Sequence, residues 1–239
     1  MPIRFFGIKV DYSNINDKIV QLLKMREMKM THQMHNLIIL DESGSMDSIK
    51  SSIIKGFNKL VKSIKDIEKE IKDQEHFITL VSFNGSGIKL LHFIDSVKSL
   101  NSINHKKYNP DDNTPLYDAI GYSVNKLKMY LEGKSDFNVI VSVFTDGEEN
   151  ASTEFNTIVI KKIIEDLIGS DKWIFTYLGT GHDVLQSANE ISIHNFLEFD
   201  RSDKGIKNMF NKDRKARMKH CLRISMNDNT TPNGYFDED

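Results

Sequence analysis

Five residues of this chain have types and positions suited to holding a small, hard cation. Asp41-Glu42-Ser43-Gly44-Ser45 places a carboxylate and two hydroxyls at alternate positions of a short segment. Thr114 adds a hydroxyl after a long polar stretch, and Asp146 adds a second carboxylate. Three hydroxyls and two carboxylates form an incomplete octahedral oxygen shell. That suits Mg²⁺, which keeps some of its waters and typically takes only one or two carboxylates. Mn²⁺ fits the same ligands, whereas zinc favours nitrogen or sulfur, and none is placed here. An open position would remain for a carboxylate from a partner. Gly44 is expected to allow a backbone path that a Cβ would obstruct. Two carboxylates in one pocket would also raise each other's pKa unless a cation lay between them.

Each residue has a plainer reading. Asp41, Ser43 and Ser45 could all cap a helix, and Thr114-Pro115 fits a cap followed by proline at the first helical position. For Asp41 alone the cap explains as much as the metal does; together with Thr114 and Asp146 the shared site is favoured. Around it, Glu42, Tyr108, Asp112, Gly147, Glu148 and Glu149 form a candidate rim, with Lys106 and Lys107 beside Tyr108. Glu148 and Glu149 read as solvated, with contact to the ion or repulsion of a ligand as the lesser alternative; Asp111 and Asp112 sit near Thr114 and could tune the site, but exposed acids are common in loops. His32 and His35 have metal-ligand spacing but no third ligand nearby, so they read as surface residues. His182-Asp183 reads as a turn and a helix cap.

These residues need elements to carry them. Asn36 to Leu40 is an apolar run that stops at Asp41, the pattern of a buried parallel strand. Asn138 to Thr145 is almost wholly apolar and β-branched and also ends at an aspartate. Ile49, Ile53, Phe57, Leu60, Ile64, Ile67 and Ile71 recur at helical spacing, which predicts an amphipathic helix over 46–71, with Lys59, Lys62, Lys65, Lys69 and Lys72 on its solvated face. Strands over 77–83 and 88–94 flank the turn Asn84-Gly85-Ser86-Gly87 and form an edge hairpin. Residues 99–113 read as a polar surface loop. Further helices are expected over 116–132, from Phe155 to Leu167, around Val184 to Asn189 and over 204–219, with strands at 173–178 and 193–199. The alternation predicts an α/β, doubly wound, mostly parallel sheet of about six strands, with one antiparallel edge strand and helices on both faces. Ligands of such sheets bind at the C-terminal ends of the strands, where Asp41 and Asp146 fall. Residues 1–34 read as an N-terminal extension with a Met- and Lys-rich helix, 35–200 as the domain, and 201–239 as a helix with an acidic, polar, mobile tail.

Asp41-x-Ser43-x-Ser45, Thr114 in TPL and Asp146 in TDG together resemble the three-part metal-ion-dependent adhesion site of von Willebrand factor A domains, over roughly residues 35–200. The resemblance implies that Ser43, Ser45 and Thr114 approach the ion through hydroxyls, Thr114 directly or through water. Asp41 and Asp146 would act largely through bound waters and hydroxyls. It also implies a non-catalytic role, in which the exposed metal captures an acidic residue of another protein. Within the family the chain resembles compact intracellular bacterial members, including the tellurite-resistance-associated group.

Composition narrows the alternatives. Thirty-two basic against thirty-four acidic residues give a net charge of -2, and arginine is confined to positions 4, 26, 201, 214, 217 and 223, so specific nucleic-acid binding is not expected. No apolar run reaches the roughly 18 residues of a membrane helix. Cys221, the single cysteine, has no internal disulfide partner, and the N-terminus lacks a secretory pattern, so a cytoplasmic setting is expected. There is no GxGxxG after the first strand and no P-loop. A Mg²⁺-dependent phosphatase or hydrolase is the rival reading, although a strand-end aspartate nucleophile would want a second carboxylate where Ser43 stands. A regulatory subunit of an ATPase or kinase complex is a third.

Overall fold

The computed structural model describes residues 31–228 and 234–236; the helix expected between Ile15 and Met30 lies outside the described residues. β1 (His32–Asp41) is buried continuously from Met34 to Asp41, because neighbouring strands and helices cover both of its faces. It pairs in parallel with β2 (Gln74–Asn84) on one side and β4 (Phe137–Thr145) on the other. β5 (Trp173–Gly179) and β6 (Asn195–Glu198) extend the parallel array, while β3 (Gly87–Ser96) pairs antiparallel with β2 at the far edge. The six-stranded order is β3-β2-β1-β4-β5-β6. It reverses direction at β1, so the crevice between the ends of β1 and β4 is the topological switch point.

α1 (Lys50–Glu70) follows a 3₁₀ turn at Gly44–Ile49, so the helix predicted over 46–71 begins as a tighter turn. α2 (Leu116–Leu131), α3 (Thr157–Ile168), α4 (Val184–Glu190) and α5 (Asp203–Ser225) complete the described helices. Ile53, Phe57, Leu60 and Ile64 of α1 share a core with Ile38, Leu40, Phe144 and Leu178 of the sheet and with Ile206, Met209 and Phe210 of α5. On the opposite face, Leu37, Ile39, Val141, Val143 and Phe175 pack against Ile120, Val124 and Leu127 of α2 and Ile160 and Ile164 of α3. The alternation of side chains along each strand separates these two cores.

α5 is tied to the sheet by a buried ion pair. Arg217 and Asp213, one helical turn apart and both fully buried, approach to 3.2 Å. The guanidinium also donates to Asn36 Oδ1 on β1 at 2.8 Å and to Ser142 Oγ on β4 at 3.0 Å. Breaking such a network leaves an uncompensated charge in the core, which is why it fixes the position of α5.

Three expectations change. His35 is buried, 2 % exposed and stacked on Phe77 with ring centroids 5.2 Å apart, because β1 starts earlier than the apolar run announces. The polar stretch over 99–113 is pinned from within by Leu100, Ile103 and Tyr108, all buried. The C-terminal tail is not wholly a polar appendage. Tyr235 is buried beside His220, its backbone N–H donates to Asn195 Oδ1 at 3.1 Å, and Phe236 packs on the core.

Phe57→Ala should lower stability by about 3 kcal/mol or more, through lost burial plus a cavity between α1 and the sheet; urea denaturation measures it, and a change below about 0.5 kcal/mol would place the ring outside the core.

Two buried histidines, His35 and His76, and the half-buried His220 predict acid sensitivity. Burial holds His35 and His220 down to about 4 and His76 down to about 3, with Lys134, Arg223 and Arg217 respectively adding to the effect. In the unfolded chain these rings protonate near 6.5. Their contribution to stability is therefore complete above that pH and is lost as pH falls toward 4. Asp41, raised to about 6 by burial, works in the opposite sense and offsets part of one histidine. In EDTA the urea midpoint should be lower at pH 5 than at pH 7.5. His76→Leu should reduce that slope, since neither ring nitrogen of His76 has a hydrogen-bond partner among the described residues to lose.

Candidate metal centre

The parallel register that pairs Leu40 with Phe144 brings Asp41 alongside Thr145, with Asp146 next in the chain. Asp41 Oδ1 accepts the Ser43 backbone N–H at 2.7 Å, and Oδ2 accepts the Thr145 hydroxyl at 2.6 Å. Ser45 Oγ donates to Asp146 Oδ1 at 2.5 Å, and Ser43 Oγ lies 3.1 Å from Ser45 Oγ. Thr114 faces the same space across Gly147, where an added Cβ would stand 3.4 Å from Thr114 Oγ1 and 4.0 Å from Ser45 Oγ. The five residues chosen from the sequence therefore converge. Asp41, Ser43, Thr114 and Asp146 are buried, and Ser45 alone among them is exposed.

The capping alternative is weakened by the hydroxyls themselves. Ser43 stands at the N-cap of the 3₁₀ turn, yet its side chain makes no capping bond. Pro115, not Thr114, occupies the N-cap of α2, also without a side-chain capping bond. The orphan N–H groups at the start of α2 are met by other residues. Glu149 Oε2 accepts from Tyr117 N–H at 2.8 Å, and Ser152 Oγ accepts from Asp118 N–H at 3.0 Å.

Asp41 carries the main electrostatic cost. Burial lifts its carboxyl to about 6, against hydrogen bonds from Thr145 and Ser43 that favour the charged form; the charge of Asp146 adds only the last and smallest contribution. The mutual repulsion expected from the sequence is thus secondary to desolvation. Asp146 Oδ2 is buried and accepts no hydrogen bond from the described residues. Arg201 Nη1 lies 2.8 Å from it and balances its charge without hydrogen-bond geometry. Nη2 of the same guanidinium donates to Ser45 O at 2.7 Å and Ser48 Oγ at 2.8 Å.

A hard divalent cation fits this donor set. Every candidate ligand atom is a hydroxyl or carboxylate oxygen, and one buried carboxylate oxygen, Asp146 Oδ2, accepts no hydrogen bond from the described residues and is balanced only by the half-exposed Arg201. Among the described residues no group of three His, Cys, Asp or Glu side chains could hold a metal, so the hydroxyls are needed to complete any site here.

The rim is less exposed than its sequence suggests. Tyr108 is fully buried beneath the centre and donates its hydroxyl to Asp41 O at 2.7 Å, which makes it a support and not a contact for a ligand. Glu42 is also buried; its Oε1 accepts from Asn109 N–H at 2.5 Å and stands 3.1 Å from Lys89 Nζ. Asp112 contributes its backbone, whose carbonyl accepts Gly44 N–H at 2.9 Å. Gly44 itself has room for a Cβ, with nothing nearer than 3.6 Å, so the special backbone expected there is not required. A glycine beside the site that is constrained is Gly181, at φ +80°, where a Cβ would come within 3.1 Å of Asp146 O. Glu148 is exposed, as expected. Glu149 is not the free carboxylate expected: besides Tyr117 it accepts from Ala151 N–H, Ser152 N–H and Ser152 Oγ at 2.7–2.8 Å. Asn150 Oδ1 accepts from Thr114 N–H at 2.9 Å. His182 and Asp183 serve the β5–α4 turn, Asp183 as the cap that accepts Gln186 N–H at 2.9 Å. Thr145, Asn150 and Arg201 were not selected from the sequence. Thr145 is adjacent to the TDG motif, but nothing in the sequence marks Arg201.

The sheet order and the helices on both faces define a doubly wound α/β domain, and its fold is that of von Willebrand factor A domains. The chain is similar to the VWA domain of SpRpn10 (TM-score 0.50, 8% identity, covering 75% of this chain and 94% of that one). It is likewise similar to the vWF domain of the type V pili tip protein Mfa5 from Porphyromonas gingivalis (TM-score 0.53, 10% identity, 84% and 98% covered). A third similar structure is the pilus adhesin SpaC from Lactobacillus rhamnosus GG in an open conformation (TM-score 0.57, 13% identity), where 79% of this chain covers 30% of the adhesin. No protein-family profile and no curated protein sequence matches the chain. No helix among the described residues is long and apolar enough to cross a membrane.

Glu149→Ala should destabilise the fold by about 2 kcal/mol, because it strands several N–H donors at once. Thermal melting in EDTA measures this; an unchanged melting temperature would mean that the carboxylate is in water.

Proposed function

We propose that this chain is a divalent-metal-dependent protein-binding domain that captures an acidic side chain of a partner at the C-terminal edge of its sheet. The convergence of Asp41, Ser43, Ser45, Thr114 and Asp146 at the switch point carries this reading, because it joins hydroxyls that are not spent on helix caps to two carboxylates. Ser43, Ser45 and Thr114 would hold Mg²⁺, or Mn²⁺, through their hydroxyls, and Asp41 and Asp146 would support it through their carboxylates. When bound, the ion would supply a positive coordination position for a carboxylate oxygen of the partner. The chain's own work is to hold the oxygens in place. Tyr108 fixes the end of β1, the Asp112 carbonyl holds the Ser43–Ser45 loop, and Glu149 and Asn150 hold the segment that presents Thr114. Two of the similar structures belong to a pilus adhesin and a pili tip protein, which supports a binding role over a catalytic one.

Mg²⁺ should raise the melting temperature, since only the folded chain brings the ligands together. Asp41→Asn, which keeps the side-chain shape and one acceptor oxygen for the Ser43 N–H while its NH2 faces the Thr145 hydroxyl, should remove most of that rise, and Ser45→Ala should weaken it. The measurement is melting of the three proteins against Mg²⁺, with EDTA as the zero. No shift in the wild type up to about 10 mM, or an undiminished shift in Asp41→Asn, would overturn the metal-dependent reading.

A further inference from the structure

Arg201 belongs to none of the three motif segments, yet it reaches two of them. It lies in the link between β6 and α5, some 55 residues beyond Asp146. Its Nη1 balances the Asp146 carboxylate, and its Nη2 donates to the carbonyl of Ser45 and the hydroxyl of Ser48. One guanidinium therefore bridges the loop that carries two candidate ligand hydroxyls and the aspartate at the end of β4.

We propose that Arg201 is a tethered cation that neutralises Asp146 until a divalent ion displaces it, so that this arginine sets the metal concentration at which the site engages. The inference rests on the metal-binding reading above. The Asp146 side chain is fully buried, and a buried carboxylate without a counter-charge is costly. The Arg201 guanidinium meets that cost. A dication beside Asp146 would bring three positive charges, its own two and the guanidinium's one, into a pocket with two carboxylates. A guanidinium does not lose its proton to relieve such repulsion, so it must give up its place.

The surroundings permit that movement. The Arg201 side chain is 38 % exposed, in contrast to Arg217 at 0 %, so it can pass into water with little desolvation to reverse. The backbone on either side is held. Phe199 is buried and its N–H donates to Gly179 O at 3.0 Å, while Ser202 caps α5 by accepting Gly205 N–H at 3.1 Å. Exchange therefore needs only the side chain to swing out, with the β6–α5 link and α5 unmoved. Ser48, exposed on the 3₁₀ turn, is a second handle: it touches Arg201 and is not a candidate metal ligand.

Titration calorimetry of the full chain with Mg²⁺ alone, beside melting in EDTA, tests the exchange. Arg201→Gln should bind Mg²⁺ about tenfold more tightly than the wild type, the size expected when a charge-assisted contact no longer has to be broken. Its melting temperature in EDTA should fall, and the rise on adding Mg²⁺ should grow. Arg201→Lys, which keeps the charge but lacks the second nitrogen that reaches Ser45 and Ser48, should fall between the wild type and Arg201→Gln. Ser48→Ala should tighten binding by about threefold through the loss of one hydrogen bond that holds the guanidinium in place. Equal dissociation constants for the wild type and Arg201→Gln would overturn the exchange while leaving the metal site standing. Binding by Arg201→Gln with none by the wild type would support the exchange in its strongest form. Absence of Mg²⁺ binding in every variant would overturn the metal reading, and the exchange with it. If Arg201→Gln does not fold, Ser48→Ala decides: an unchanged dissociation constant there overturns the proposal.

Discussion

The carboxylate of Asp41 is held where water does not reach, and much of the surrounding architecture follows from keeping it there. A fully desolvated carboxylate tends to take up a proton, and the rise of its pKa to about 6 is the measure of that tendency. Thr145 and the Ser43 N–H counter it by hydrogen bonding to the charged form. Both donors exist only because β1 and β4 lie side by side in parallel and because the chain turns sharply after Asp41. The switch point of the sheet is therefore a place where two strands end together and also where one strand's donor satisfies the other strand's acid.

The same economy appears one layer out. The long segment between β3 and α2 carries few apolar residues, yet Tyr108 from its middle is completely buried and holds the carbonyl of Asp41. Glu42 receives the backbone of that segment at Asn109, and its own carbonyl accepts Asp111 N–H at 2.9 Å. The loop after β4 and the first turn of α2 satisfy each other: Glu149 and Ser152 accept from α2, and Asp118 of α2 accepts from Thr153, Glu154 and Phe155 at 2.8–2.9 Å. These reciprocal bonds spend side-chain acceptors on backbone donors and leave the hydroxyls of Ser43, Ser45 and Thr114 free of capping duty.

Two arginines near the C-terminus illustrate how burial assigns roles to one side-chain type. Arg217 is sealed against Asn36, Ser142 and Asp213, where a guanidinium with fixed donors holds a helix to two strands at once. Arg201 carries the same charge at the protein surface, with part of its guanidinium in water and part against a buried acid. A sealed charge cannot leave without breaking the core, while a half-solvated one can be exchanged.

Much of this was legible in order along the chain. The apolar runs ending at Asp41 and Asp146, the helical spacing of Ile53, Phe57, Leu60 and Ile64, and the turn before β3 each report a local environment, and local periodicity survives in sequence because every residue on a buried face must be apolar. The alternation of these runs implied a doubly wound sheet, and the residues at the strand ends implied where a ligand would sit. Other features depend on which distant segments meet. That Glu149 would be consumed by α2, that Tyr108 would lie beneath the site, and that His35 would be buried follow from contacts across the fold, and polar residues in exposed and buried settings look alike in sequence. Arg201 is the extreme case. The sequence determined the two carboxylates, the three hydroxyls and the strands that end at them; only the tertiary structure decided which cation faces Asp146, because electrostatic partnership is set by distance in space and leaves no periodic trace in the chain.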